Sequence, residues 1–219
     1  MTVNAVPFHS QKYWQDRFNN EQHFEWLFTW DTLKPYLGYY LDPKEPILHL
    51  GCGNSQLGFD LIEQGYSRVV NVDYADNVIT QMKEKTRERV PALQDRLEWY
   101  AADCLTDDLS RLGSASSPRD YSVAIDKSLA DTIACGDTED QQNMKRLSQR
   151  VLQAIRPNGV WISISFSSSR QYAFDTSGEW TWQTEQALPI KVVQPNDTPN
   201  APDIYYYLYI QRKVLNNPV

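Results

Sequence analysis

The chain has 219 residues, which fits one α/β domain, and its 41% hydrophobic residues can supply a sizeable core. A formal net charge of −7 with no Lys/Arg run argues against a broad nucleic-acid footprint, which needs a basic face. Three cysteines without a CxxC pair and three scattered histidines fit neither a disulfide framework nor a metal site.

No apolar run reaches the roughly 18 residues of a membrane span. The N-terminus lacks the apolar stretch of a signal peptide, so the cytoplasm, or the nucleus, is the expected compartment.

In chain order, Gln11 to Phe18 reads as a short helix with Ser10 at its N-cap, and Trp14 and Phe18, four apart, share one face. A second helical stretch, rich in aromatics, is predicted from about Glu25 to Tyr39. Pro46–Leu50 is a buried strand ending at glycine, with His49 a core or sheet residue. Ser55–Gln64 is a helix stopped by Gly65, Arg68–Val72 a second strand, and Asp76–Arg89 a helix closed by Val90-Pro91. Leu97–Ala101, Asp120–Ile125 and Val160–Phe166 are further strands. A loop rich in Gly and Ser precedes the second of these, and a long helix, Thr138–Ile155, precedes the third.

Strands alternating with helices imply a parallel sheet with right-handed crossovers. The tail departs from this pattern. Trp180–Gln186 and Ile204–Arg212 read as strands with no helix between them, only the spacer Gln194–Asp203. The expected fold is therefore α/β: a Rossmann-like seven-stranded sheet, mostly parallel, with a C-terminal antiparallel hairpin and helices on both faces.

The central signal is Ile47-Leu48-His49-Leu50-Gly51-Cys52-Gly53-Asn54-Ser55, a strand that runs into glycines and opens a helix. Glycine permits the sharp turn and the close approach of a ligand to the backbone. A dinucleotide site wants a third glycine for the pyrophosphate, and that position is Gln56. S-adenosylmethionine carries no phosphate and does not need it.

Asp73 ends the second strand, twenty residues past Gly53, where a carboxylate can accept ribose hydroxyls. The alternative is a cap on the following helix, but Asp76 is better placed for that, which leaves Asp73 free. Asp103 follows the third strand and could accept from the adenine amino group, with Cys104 offering its N–H and Leu105 beside it. The fourth strand ends at Asp126-Lys127, over the methyl group. Asp126 is the candidate to orient or deprotonate an amine, and Lys127 to pair with the cofactor's carboxylate; a salt-bridged loop is the alternative.

Several blocks together resemble a known family: Tyr13-Trp14-Gln15-Asp16-Arg17-Phe18, Phe24-Glu25-Trp26, Leu50-Gly51-Cys52-Gly53-Asn54-Ser55, and Asn71-Val72-Asp73-Tyr74 with its extension Val78–Lys83. The chain resembles the seven-strand methyltransferases of the lysine methyltransferase group that acts on translation elongation factor, the METTL-type branch linked to endothelin-converting enzyme 2. On their own, the aromatics read as core. The resemblance implies that Trp14, Phe18 and Trp26 enclose the cofactor, whose sulfonium is attracted to aromatic faces. It also implies cofactor contact by Asp73, Tyr74, Asp103, Cys104 and Lys127.

One block departs from the family's D-K-G-[TS]-L-D-A: here it is Asp126-Lys127-Ser128-Leu129-Ala130-Asp131-Thr132, with serine for glycine. The expected organisation is a single methyltransferase domain: a helical lid over 1–40, a cofactor-binding core over 41–166, and a substrate-side loop with hairpin over 167–219. The expected activity is protein-lysine methylation, which an acidic surface suits. Methylation of a metabolite at O, N or S, in a pocket closed by Phe166–Phe174 and Trp180–Trp182, and a cofactor-binding scaffold without turnover stay open.

Overall fold

The computed structural model describes residues 6–21, 23–113, 121–137, 141–172, 178–193 and 202–216. Seven strands form one sheet: β1 (Ile47–Leu50), β2 (Val69–Asp73), β3 (Leu97–Ala101), β4 (Tyr121–Lys127), β5 (Ile155–Ser165), β6 (Trp180–Lys191) and β7 (Tyr205–Leu215). Their order is β3-β2-β1-β4-β5-β7-β6. The first five pair in parallel; β7 runs antiparallel to both β5 and β6. Every residue of β1, β2 and β4 is buried, because helices cover both faces of a parallel sheet.

The helices are α1 (Gln11–Asn20), α2 (Trp30–Leu37), α3 (Leu57–Glu63), α4 (Asp76–Arg89), α5 (Leu129–Cys135) and α6 (Gln142–Ala154). α1 to α4 cover one face, where Phe18, Leu33, Phe59 and Met82 meet Ile47, Val69, Val123 and Ile125. α5 and α6 cover the other, where Ile133, Leu147 and Val151 meet Leu48, Val72, Ala124 and Trp161. In β1 and β2 the alternation of side chains sends odd- and even-numbered residues to different cores.

Several expectations change. Residues 25–29 are not helical. Leu27 has φ 63°, and α2 begins only after Thr29. The short helix α5 was not anticipated. β4 continues through Asp126 and Lys127 instead of ending at Ile125, because both pair with β5, at Ser163 and Ile164. The turn expected at Arg156–Gly159 is a bulge inside β5: Tyr121 pairs with Ile155, the next pair is Val123 with Val160, and Asn158 takes φ 62°. β6 runs five residues past Gln186 to Lys191. Asp120, the start of the Thr138–Ile155 helix, residues 114–118, Phe174 and most of the Gln194–Asp203 spacer lie outside the described residues.

Candidate active site

Sheet order reverses between β1 and β4, and such a switch point leaves a crevice beyond the strands' carboxyl ends. A cavity of about 510 Å³ lies there. Its floor is the turn after β1. Gly51 (φ 56°) and Gly53 (φ 47°) take left-handed backbone that favours glycine. A Cβ at Gly51 would stand 2.9 Å from Leu129, and one at Gly53 would stand 3.2 Å from the Phe18 ring. Cys52 between them is buried and ties the turn to β2 through its N–H, which donates to the Val72 carbonyl (2.9 Å).

Asp73, ending β2, is not free. Its Oδ2 accepts from the Gly53 N–H at 2.9 Å and its Oδ1 from the Ala75 N–H at 3.0 Å. No side chain caps α4, so the turn that starts the helix belongs to Asp73 and not to Asp76. Each carboxylate oxygen keeps a second lone pair, enough to accept ribose hydroxyls. Burial pushes the Asp73 carboxyl up to about 6, against the backbone N–H groups that favour its charge. At the end of β3, Asp103 Oδ1 accepts from the Leu105 N–H (2.8 Å). Asp103, Cys104, Leu105 and Tyr74 all line the cavity.

The roof comes from the N-terminal segment. Trp14, Phe18 and Trp26 line the cavity with Phe8, Phe24 and Phe166. Trp14 and Phe18 are core residues as well as cavity lining. α1 is fastened to α4 and the residue after β2: Gln11 Nε2 donates to the Tyr74 carbonyl (2.8 Å), Asn77 Nδ2 to the Gln15 carbonyl (2.8 Å) and to Asn19 Oδ1 (2.9 Å), and Gln81 Nε2 to the Phe18 carbonyl (2.9 Å). The Arg17 guanidinium lies 4.9–5.5 Å from the ring centres of Trp14, Phe24 and Trp26.

Glu25, which the sequence did not single out, clamps this roof to the floor. Its Oε1 accepts from Ser55 Oγ (2.8 Å) and its Oε2 from the Gln56 N–H (2.9 Å), and its carboxylate pairs with Lys127. Asn54 adds two bonds, accepting from the Phe24 N–H and donating to the Glu21 carbonyl, both at 3.1 Å. Lys127 lines the cavity, but its Nζ already donates to the Phe28 carbonyl (3.1 Å) and meets Glu25, so it is not an unpaired cation awaiting a carboxylate. Burial pulls this ammonium down toward about 7, and the Glu25 carboxylate in contact with it counters that pull.

Asp126 does not face the cavity. With Ala124 it points to the α6 side of the sheet, fully buried, where Oδ1 accepts from the Ala130 N–H (3.2 Å) and Oδ2 from Trp161 Nε1 (2.8 Å). Burial raises its carboxyl to about 7. The expected acid–base role of Asp126 is therefore corrected to that of a buried structural acceptor. Asp131, one turn further on in α5, is the carboxylate in the cavity wall. It accepts from Ser165 Oγ (2.5 Å), the Phe166 N–H (2.9 Å) and Arg170 Nη2 (2.5 Å). Ser128 holds φ 70° between β4 and α5, the left-handed conformation that glycine adopts without strain. Trp182 is buried against Trp161, with ring centres 5.8 Å apart, and neither Trp180 nor Trp182 lines the cavity; of the aromatic closure that would favour a metabolite, Phe166 lines it and Phe174 lies outside the described residues.

No family model matches the chain. The methyltransferase srdJ of Neurospora crassa is 32% identical over 216 residues, covering 94% of this chain and 84% of that protein. The eEF1A lysine and N-terminal methyltransferase of Mus musculus is 30% identical over 175 residues, 76% of this chain, but this match spans only 24% of that longer protein. Among solved structures, phosphoethanolamine N-methyltransferase 1 of Haemonchus contortus matches all of this chain and 51% of its own with a TM-score of 0.64, at 10% identity, which speaks for the fold alone. A relative alike over nearly the full length, on a sheet of the same architecture, places this chain in the methyltransferase family to which srdJ belongs.

Proposed function

We propose that this chain transfers the methyl group of S-adenosylmethionine to a lysine side chain of a protein. The observation that carries the acceptor is Asp131: a carboxylate in the wall of a cavity that Trp26 and Phe166 also line, a setting that favours an ammonium group. The donor rests on the Gly51–Gly53 turn, on Asp73 and Asp103 at neighbouring strand ends, and on the aromatic roof. Glu25 adds to this. Its carboxylate already takes the Gln56 N–H ahead of α3, the place a dinucleotide's pyrophosphate would need, so the turn suits a phosphate-free cofactor. The Mus musculus relative is named for eEF1A lysine, which agrees with the acceptor class.

When bound, the cofactor supplies a methyl group already activated on sulfur. The protein aligns acceptor and donor and excludes water. Gly51 and Gly53 let the backbone approach the cofactor, Asp73 holds the ribose, and Asp103 with Cys104 and Leu105 borders the base. Trp14, Phe18 and Trp26 shield the charged sulfur. Asp131 places the acceptor's cation; the proton that the amine must lose leaves to water.

The test is transfer from radiolabelled S-adenosylmethionine into purified eEF1A and into whole-cell lysate, followed by acid hydrolysis. Label recovered as methyl-lysine is expected. Label found only in extractable metabolites would support the small-molecule alternative, and tight cofactor binding without any transfer would support a scaffold.

A further inference from the structure

The Asp131 carboxylate carries an ion pair that its orientation does not require. Ser165 Oγ and the Phe166 N–H already fix both of its oxygens from the end of β5. Arg170 adds charge through a single Nη2 contact at 2.5 Å, not a two-point fork, and its Nε is buried with no hydrogen-bond partner. An unpaired buried donor is costly, so this guanidinium sits in an incompletely satisfied seat. The backbone beside it is held independently: the Arg170 N–H donates to Tyr209 Oη (3.2 Å), and Tyr209 Oη donates to the Ser167 carbonyl (2.7 Å). The side chain can therefore leave Asp131 without the loop coming undone. The two side chains are 18% and 11% exposed, so the pair is only weakly screened by solvent.

We propose that Arg170 is a specificity-determining residue whose guanidinium competes with the acceptor's cation for the Asp131 carboxylate. This rests on the reading of the acceptor as an amine. With Arg170 engaged, the carboxylate is neutralised from within, and a cationic acceptor gains little by approaching it. An acceptor that brings enough further contact displaces the competitor; a free amine in solution does not. The internal cation thus lowers the affinity of every cationic acceptor against a neutral one, so that only an acceptor with further contacts, such as a lysine presented on a protein surface, still binds at working concentration.

The experiment uses the full chain saturated with S-adenosylhomocysteine and follows tryptophan fluorescence. Nα-acetyl-lysine methylamide and its neutral counterpart Nα-acetyl-norleucine methylamide are titrated into wild type, Arg170→Ala and Arg170→Lys. Arg170→Ala is expected to bind the lysine compound about tenfold more tightly, the scale of one partly buried charge pair, with norleucine binding unchanged. Arg170→Lys, which keeps the charge, is expected to stay near wild type. Unchanged or weaker lysine binding in Arg170→Ala, or an equal gain for both compounds, overturns the proposal. If S-adenosylhomocysteine binds but no variant takes the lysine compound, the proposal falls together with the amine reading while the donor site stands. If S-adenosylhomocysteine itself does not bind, the donor reading falls and takes this proposal with it.

Discussion

His49 is fully buried in β1, and its Nδ1 lies 2.9 Å from Asn71 Oδ1. Asn71 Nδ2 donates to the Glu98 carbonyl, so its Oδ1 is the acceptor and the His49 proton sits on Nδ1. Burial lowers the ring's pKa from 6.5 to about 4. The unfolded chain takes up a proton below pH 6.5 that the folded chain refuses until about 4, so His49 lowers stability as pH falls through that window, by about 3 kcal/mol in all. Asp126 and Asp73 run the other way. Their raised values, about 7 and about 6, mean that their contribution is present below pH 3.8 and lost as pH rises through those values. The His49 contribution is read as the difference between wild type and His49→Gln in denaturation curves from pH 7.5 to 4, and a flat difference would refute it.

Asp126→Asn keeps one acceptor oxygen and sets its amide donor against the other of the two N–H groups. A stability loss of about 1–3 kcal/mol is expected, with methyl transfer by the folded fraction retained. Abolished transfer in a folded protein would restore Asp126 to the chemistry. Asp73 and Asp103 were legible because a strand end after a fixed interval is a local property. Asp126 and Asp131 were not told apart because β4 is buried on both faces, and a strand without polar alternation does not announce which residues face the ligand.

At the scale of elements, the segment from Glu21 to Thr29 decides how the roof meets the floor. The sequence pattern favoured a helix from about Glu25 onward. Instead, Asn54, Ser55 and Gln56 draw its backbone and the Glu25 carboxylate toward the glycine turn, and the left-handed Leu27 turns the chain into α2. Those partners lie about thirty residues away, and Lys127 is 102 residues from Glu25, so no local propensity could have shown the clamp. Glu25→Gln leaves Lys127 as a buried cation without its counter-charge. A loss of about 3 kcal/mol is expected, with faster amide exchange across α1 and residues 23–29. The double variant Glu25→Gln/Lys127→Met is expected to recover part of the loss. Unaltered exchange in the single variant would show that the segment is held by its aromatics alone.

At the scale of the molecule, the cavity joins β1, β2 and β3, the turn after β4 and the N-terminal roof, so a ligand there links parts of the chain from Phe8 to Phe166. Saturating S-adenosylhomocysteine, at about a hundredfold over its Kd, stabilises the folded state by about 2.7 kcal/mol. For a chain of this size, that raises Tm by roughly 5–10 °C in a scanning experiment. NAD at the same concentration is expected to leave Tm unchanged; the opposite ranking would overturn the donor assignment. Apart from α5, the sequence alone determined the order of strands and helices along the chain, the antiparallel ending and the glycine turn with its strand-end carboxylates, because each depends on periodicity, on backbone freedom or on a short fixed spacing. Only the tertiary structure decided that Asp131 and not Asp126 lines the cavity, that Glu25 pairs the roof with Lys127, and that Arg170 pairs with the Asp131 carboxylate. Those pairings are made between residues far apart in the chain, and the side of the sheet a residue faces depends on where its strand stops pairing with its neighbour.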